Sequence, residues 1–304
     1  MSGTRGPGPL FELVRAPAAL TVPGDTLVGA LSAGRPLGPA VAGLAAASVS
    51  LYWAGMALND YADRTVDAYE RSHRPVPSGR VRPGTALAVA VAGTAASLAL
   101  AGLSGGRHSL AVAVPLAATV WAYDLGLKSG PLGPAAMGAA RGLDLLLGAT
   151  APGPGTARRA LLPAAVLTAH TATVTRLSRD EVHGAEPALP RATLAATGLI
   201  TAAAALPRRA RTGGHGLPSR AARVAGAAQA ALAGWYGWHF GTAQAAAARL
   251  PDAGRVRRSV GAGIHAMVPL QAALAARAGA PLPALALATA LPLARRLARR
   301  VSPT

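Results

Sequence analysis

The run Asn59-Asp60-Tyr61-Ala62-Asp63-Arg64-Thr65-Val66-Asp67 concentrates three aspartates in nine positions of a chain that has only 12 acidic residues. Asn59, Asp63 and Asp67 recur at i, i+4 and i+8. A helix continued through them would stack all three on one face, with Asp60 beside the stripe. Hard oxygen donors converging in this way suit Mg2+, which takes carboxylate ligands while keeping waters and substrate phosphate oxygens in its shell. The chemistry implied is the gripping of a diphosphate through metal. A solvated loop with helix-capping aspartates would leave the four-residue repeat unexplained.

Other polar residues stand out against an apolar background. Lys128 is the only lysine of the chain and follows Tyr123 at the end of an apolar stretch. A second polar loop, 178–190, carries Asp180, Glu181, His183 and Glu186. Arg15 and Asp25 fall in the first apolar stretch, Arg141 and Asp144 in the fifth. Ionisable groups inside apolar segments are expensive and mark function by default. The i, i+3 spacing of Arg141 and Asp144 predicts a mutual ion pair, with a pocket-lining role as the second reading.

The elements that must position these residues follow from composition. The chain has 304 residues, 51% hydrophobic and 14% charged, no cysteine, and a mean hydropathy of +0.34. That balance excludes disorder and a disulfide-stapled module, and points to an integral membrane protein. Apolar stretches near 10–34, 38–60, 85–103, 108–127, 131–150, 160–178, 190–206, 221–241, 259–277 and 281–299 approach the ~20 residues of a bilayer crossing. The expected fold is all-α, a polytopic transmembrane bundle of nine or ten helices in a single domain over 1–304. Small residues dominate the stretches, as close helix packing in lipid requires. The net charge of +18 comes from arginines in short stretches between apolar runs, so it reads as topology charge on a cell-membrane protein and not as a nucleic-acid surface. Loops 61–84 and 178–190 should share the cytoplasmic face, together with Arg249, Arg255, Arg257, Arg258 and the tail Arg295, Arg296, Arg299 and Arg300. Arg208, Arg209, Arg211, Arg220 and Arg223 are the misfit to that alternation. No cleaved signal segment is expected. The aromatic groups around Tyr52, Trp121 and Trp235-Tyr236-Trp238-His239-Phe240 read as interfacial belts, or as tunnel lining. His265 and Gln271 read as interhelical hydrogen-bonding groups.

The motifs resemble those of the UbiA superfamily of membrane-embedded prenyltransferases. NDYADRTVD followed by HRPVPSG is similar to the family's first motif, N-D-x-x-D-x-x-x-D closed by R-P-x-P-S-G, and Tyr123 with Leu127-Lys128 is similar to its Tyr-x-x-x-Leu-Lys pattern. The resemblance implies transfer of an isoprenyl group from a prenyl diphosphate to an aromatic or other lipophilic acceptor, with Mg2+ as cofactor. It implies Asn59, Asp63, Asp67, Asp180 and Glu181 as metal ligands, with Asp63, Asp67 and Asp180 catalytic. Arg64, Arg74, Tyr123 and Lys128 would bind diphosphate. Read from their charges in apolar segments, Arg15, Asp25, Arg141 and Asp144 are the candidates for acceptor binding, Arg15 either holding an anionic acceptor or anchoring at the interface. The second motif departs from the family's D-x-x-x-D, because Gly184 and Ala185 stand where the second acid belongs. In this the chain resembles the divergent EboC-like branch. The departure leaves a second reading open, a non-catalytic or transport-linked membrane protein that binds a prenyl diphosphate or lipid.

Overall fold

The computed structural model describes residues 8–15, 22–207 and 220–289, and all regular structure among them is helical. A short α1 (Pro9–Leu13) precedes α2 (Val22–Ala33) and α3 (Pro39–Ala62), which runs through Asp63 into α4 (Arg64–Glu70). Then come α5 (Pro83–Leu125), α6 (Gly133–Ala149), α7 (Leu161–Ser178), α8 (Ala188–Ala205), α9 (Arg220–Arg249) and α10 (Ala253–Arg277). Residues 281–289 are helical as well.

The 43 residues of α5 are two antiparallel legs. Gly106 has φ 64°, a left-handed value that glycine adopts without strain, and it breaks the helix. Trp121 Nε1 then donates to Thr94 Oγ1 at 3.1 Å. Along a straight helix those residues would lie about 40 Å apart, so only a hairpin brings them together. With that break, the eight stretches from 38–60 to 259–277 each fall on a helical segment, while 10–34 and 281–299 are described only in part. α3, α5, α8 and α10 are long and apolar enough to cross a membrane.

Small residues set the closest helix crossing. A Cβ on Gly29 of α2 would lie 1.8 Å from the Leu145 carbonyl oxygen, and one on Gly148 of α6 would lie 1.9 Å from that of Thr26. Backbone meets backbone there, which holds α2 and α6 in a fixed register. Apolar packing lies on both sides of this pair: Leu44, Leu51 and Leu116 with α3 and α5, and Leu167, Phe240, Leu270 and Leu274 with α7, α9 and α10.

Three expectations change. The stretch 10–34 is not one span, since α1 ends at Leu13 and Arg15 takes a left-handed φ of 46°. Tyr236 and Phe240 are not an interfacial belt. Both are fully buried and meet His170 edge to face, while Trp238 on the opposite side of α9 is exposed. Asn59, Asp63 and Asp67 do not ride one uninterrupted helix, because α3 ends at Ala62 and the chain bends at Asp63. The backbone bonds Asp63 N to Asn59 O and Asp67 N to Asp63 O nevertheless preserve the four-residue spacing. Arg208, Arg209, Arg211 and the four tail arginines lie outside the described residues.

Candidate active site

The first motif lies where α3 passes into α4, and four basic side chains close on its acids. Lys128 Nζ, from the turn after α5, is 2.6 Å from Asp63 Oδ1. Arg74 Nη1 lies 2.6 Å from Asp67 Oδ2 and 3.6 Å from Asp60 Oδ1. Arg71, one helical turn past Asp67, adds a bond of 3.2 Å to its other oxygen. Asp67 is fully buried beneath these two arginines. Arg15 reaches Asp60 at 3.1 Å, so residues preceding α2 also join the mouth of the site. Arg64 turns away instead, donating to the Tyr61 carbonyl and lying over the Tyr61 ring at 4.6 Å.

The loop after α7 meets the same end of the bundle. Arg179 donates to the carbonyls of Lys128 at 2.6 Å and Gly130 at 2.5 Å, so loops 61–84 and 178–190 are joined through the Lys128 turn. The contact is made by Arg179 and not by its acidic neighbours. Asp180 pairs with Arg176 at 2.7 Å, one turn back on α7, and Glu181 is half-buried beside it. Glu186 is exposed.

Below the mouth lies a cavity of about 320 Å³ between α2, α3, α5 and α6. Asn59, Tyr123 and Asp124 line its upper part, Leu51, Leu116, Val120 and Met137 its apolar walls, and Ser48, Arg141 and Asp144 its inner end. Asn59 Nδ2 donates to Asp124 Oδ1 at 3.2 Å, which turns the Asn59 amide oxygen free for other partners. The sequence reading missed Asp124, although it is the one acid inside the Tyr123–Lys128 pattern. It also missed Arg71 and Ser48.

At the inner end the expected Arg141–Asp144 pair does not form. Arg141 Nε lies 2.7 Å from Asp25 Oδ2 instead, and Gln271 Nε2 donates to Asp25 Oδ1 at 2.7 Å. Asp144 accepts from Ser48 Oγ. The i, i+3 spacing favours a local pair, but the Gly29–Gly148 crossing brings α2 so close to α6 that Asp25 takes the guanidinium. Gln271 is interhelical, as expected.

The sequence pattern of the UbiA prenyltransferase family matches residues 25–249, a stretch that holds both polar ends of this cavity. The chain belongs to that family. Digeranylgeranylglyceryl phosphate synthase of Methanopyrus kandleri is 38% identical over 128 residues, 40% of this chain and 45% of that protein. The chain thus spans about half the length of the curated relatives it matches. Among solved structures, an apo UbiA homologue from Aeropyrum pernix K1 is 25% identical with a TM-score of 0.59, covering 84% of this chain and 96% of that one. A UbiA homologue from Archaeoglobus fulgidus bound to GPP and Mg2+ has a TM-score of 0.55 at 14% identity, over 85% of this chain and 99% of that one. The UbiA bundle is an integral membrane fold, and in this chain α2, α3, α5 and α6 enclose the cavity beneath the polar mouth.

Proposed function

We propose that the chain is a membrane prenyltransferase that moves an isoprenyl group from a prenyl diphosphate to a lipophilic acceptor and releases diphosphate, with its mouth facing the cytoplasm. The observation that carries this reading is the alternation of acids and bases, Asp63 with Lys128 and Asp67 with Arg74 and Arg71, above an apolar cavity. Family membership and the GPP and Mg2+ bound by the Archaeoglobus homologue support it.

Magnesium fits the donors present. Asn59, Asp63 and Asp67 offer oxygen atoms, and Asp180 with Glu181 is the adjacent pair proposed for a second ion. Among the described residues no three His or acidic side chains form a ready cage. The ion would therefore be held jointly by a few carboxylates and the substrate's phosphate oxygens, the arrangement Mg2+ favours. When bound, it would supply positive charge to the departing diphosphate.

The chain's own residues account for the rest. Lys128 and Arg74 stabilise the negative charge that collects on the diphosphate as the carbon–oxygen bond breaks and its electron pair leaves with oxygen. Tyr123 lines the cavity with its neighbour Asp124 and orients the same group. Leu51, Leu116 and Val120 receive the start of the isoprenyl chain and keep water from the allylic carbon, so that the acceptor captures it. One observation favours the second reading, a non-catalytic binder: Asp180 is already paired with Arg176, and no acid stands four residues on. Incubating purified protein with geranyl, farnesyl and geranylgeranyl diphosphates, Mg2+ and a lipophilic cell extract, with mass spectrometry for a prenyl increment, separates the two. A prenylated product supports transfer, and tight binding without diphosphate release supports the binder.

A further inference from the structure

The cavity has a second polar end, which the leaving-group chemistry does not use. Ser48 lies two helical turns of α3 below Gly55, about 10 Å deeper. There Asp25, Asp144 and Arg141 gather on α2 and α6, with Gln271 from α10 behind them. The Asp25 and Asp144 carboxyls adjoin each other. Asp25 is fully buried and spends both oxygens, one on Arg141 and one on Gln271. Arg141 keeps 18% of its side chain exposed, and it lines the cavity together with Asp144 and Ser48.

The charge balance of this floor decides what it can recognise. Arg141 is already neutralised by Asp25, the other guanidinium that lines the cavity, Arg15, is paired with Asp60 at the mouth, and Asp144 adds a second carboxyl to the floor. With Asp25 ionised against Arg141, the cluster has no net positive charge to offer an anion whether or not Asp144 carries a proton. A carboxylate or phosphate brought to it would lose its hydration without gaining a free cation. A neutral hydroxyl fits, because it can accept from an Arg141 N–H and donate to the carboxyl of Asp144.

On the prenyl-transfer reading, we infer that the acceptor is a neutral, hydroxyl-bearing lipophile, held by a hydroxyl between Arg141 and Asp144, and that this floor selects against anionic acceptors.

The test uses the full-length protein in detergent with Mg2+ and a non-reacting donor, geranyl S-thiolodiphosphate. Two acceptor probes share one skeleton: pentylresorcinol, which is neutral, and its ring-carboxylated counterpart. The wild type is expected to bind the neutral probe at least about tenfold more tightly. Asp144→Asn replaces the second carboxyl with an amide that cannot ionise and should narrow that ratio by improving the carboxylated probe, whereas Ser48→Ala leaves both carboxyls in place and should not. Equal or tighter binding of the carboxylated probe to the wild type overturns the proposal, and so does failure of both probes to bind while the thiolodiphosphate remains bound. If Asp144→Asn does not fold, the wild-type ratio and Ser48→Ala decide. Failure of the thiolodiphosphate itself to bind overturns the prenyl-transfer reading, and this proposal with it.

Discussion

Lys128 Nζ closes to 2.6 Å on Asp63 Oδ1, so the only lysine of the chain joins the turn after α5 to the bend between α3 and α4. Both partners keep some exposure to the mouth, which leaves the pair free to reorganise around a diphosphate. Lys128→Ala should weaken binding of geranyl S-thiolodiphosphate at least about tenfold, a loss of about 1.4 kcal/mol. Lys128→Arg should recover part of it. Fluorescence titration of the two variants checks the expectation, and unchanged affinity in Lys128→Ala would assign the lysine to topology alone.

Asp67 is the most enclosed acid of the motif, held under Arg71 and Arg74. Removing Arg74 strands a buried carboxylate on its weaker partner. Arg74→Ala is therefore expected to cost about 3 kcal/mol of stability, as breaking a buried pair does. Arg64→Ala should cost almost nothing, since Arg64 faces its own helix and Tyr61. Thermal melts in one detergent compare the two.

Much of this arrangement was legible before the structure. The apolar stretches announce their helices because a bilayer demands a set length, and the four-residue repeat of Asn59, Asp63 and Asp67 announces a helical spacing that the bend at Asp63 interrupts but the backbone bonds keep. Partner choice was not legible. Arg141 has Asp144 one turn away and yet binds Asp25, because a glycine-to-glycine crossing decides which carboxyl comes within reach. Asp124 hid for a related reason: its partner Asn59 becomes a neighbour only once the second leg of α5 packs on α3. Tyr236 and Phe240 sit near the middle of a long α9 whose rotation no local pattern reports, so a buried aromatic cluster read as a belt.

The glycine crossing carries its own expectation. Gly29→Ala must push the α6 backbone away, as a Cβ there has no room beside the Leu145 carbonyl. It should lower the melting temperature and loosen the Asp25–Arg141 contact together. Gly198→Ala, where a Cβ meets open space, should do neither.

α1 is tethered over the mouth by Glu12, whose two carboxyl oxygens take Nη1 and Nη2 of Arg80. The hydrogen bond from Arg80 holds the Glu12 carboxyl below its usual pKa of 4.5. A group with a lowered folded-state pKa gives its full stabilisation above the unfolded value and loses it as pH falls through the folded one. The tether should thus be intact at neutral pH and released only below the ordinary glutamate range. Both side chains are well exposed, so its worth is under about 1 kcal/mol. Hydrogen exchange of residues 9–13 should rise on acidification in the wild type and be high at every pH in Glu12→Gln.

The account stands or falls on diphosphate release. Purified protein with geranyl diphosphate, Mg2+ and a neutral hydroxyl-bearing acceptor should release diphosphate in step with prenylated product. Chelating the metal or introducing Asp63→Asn should abolish that release, and Asp180→Ala should slow it at least about tenfold, about 1.4 kcal/mol of transition-state stabilisation, while Glu186→Ala leaves it unchanged. A protein that holds the prenyl diphosphate and never releases diphosphate, whatever acceptor is supplied, would contradict the account.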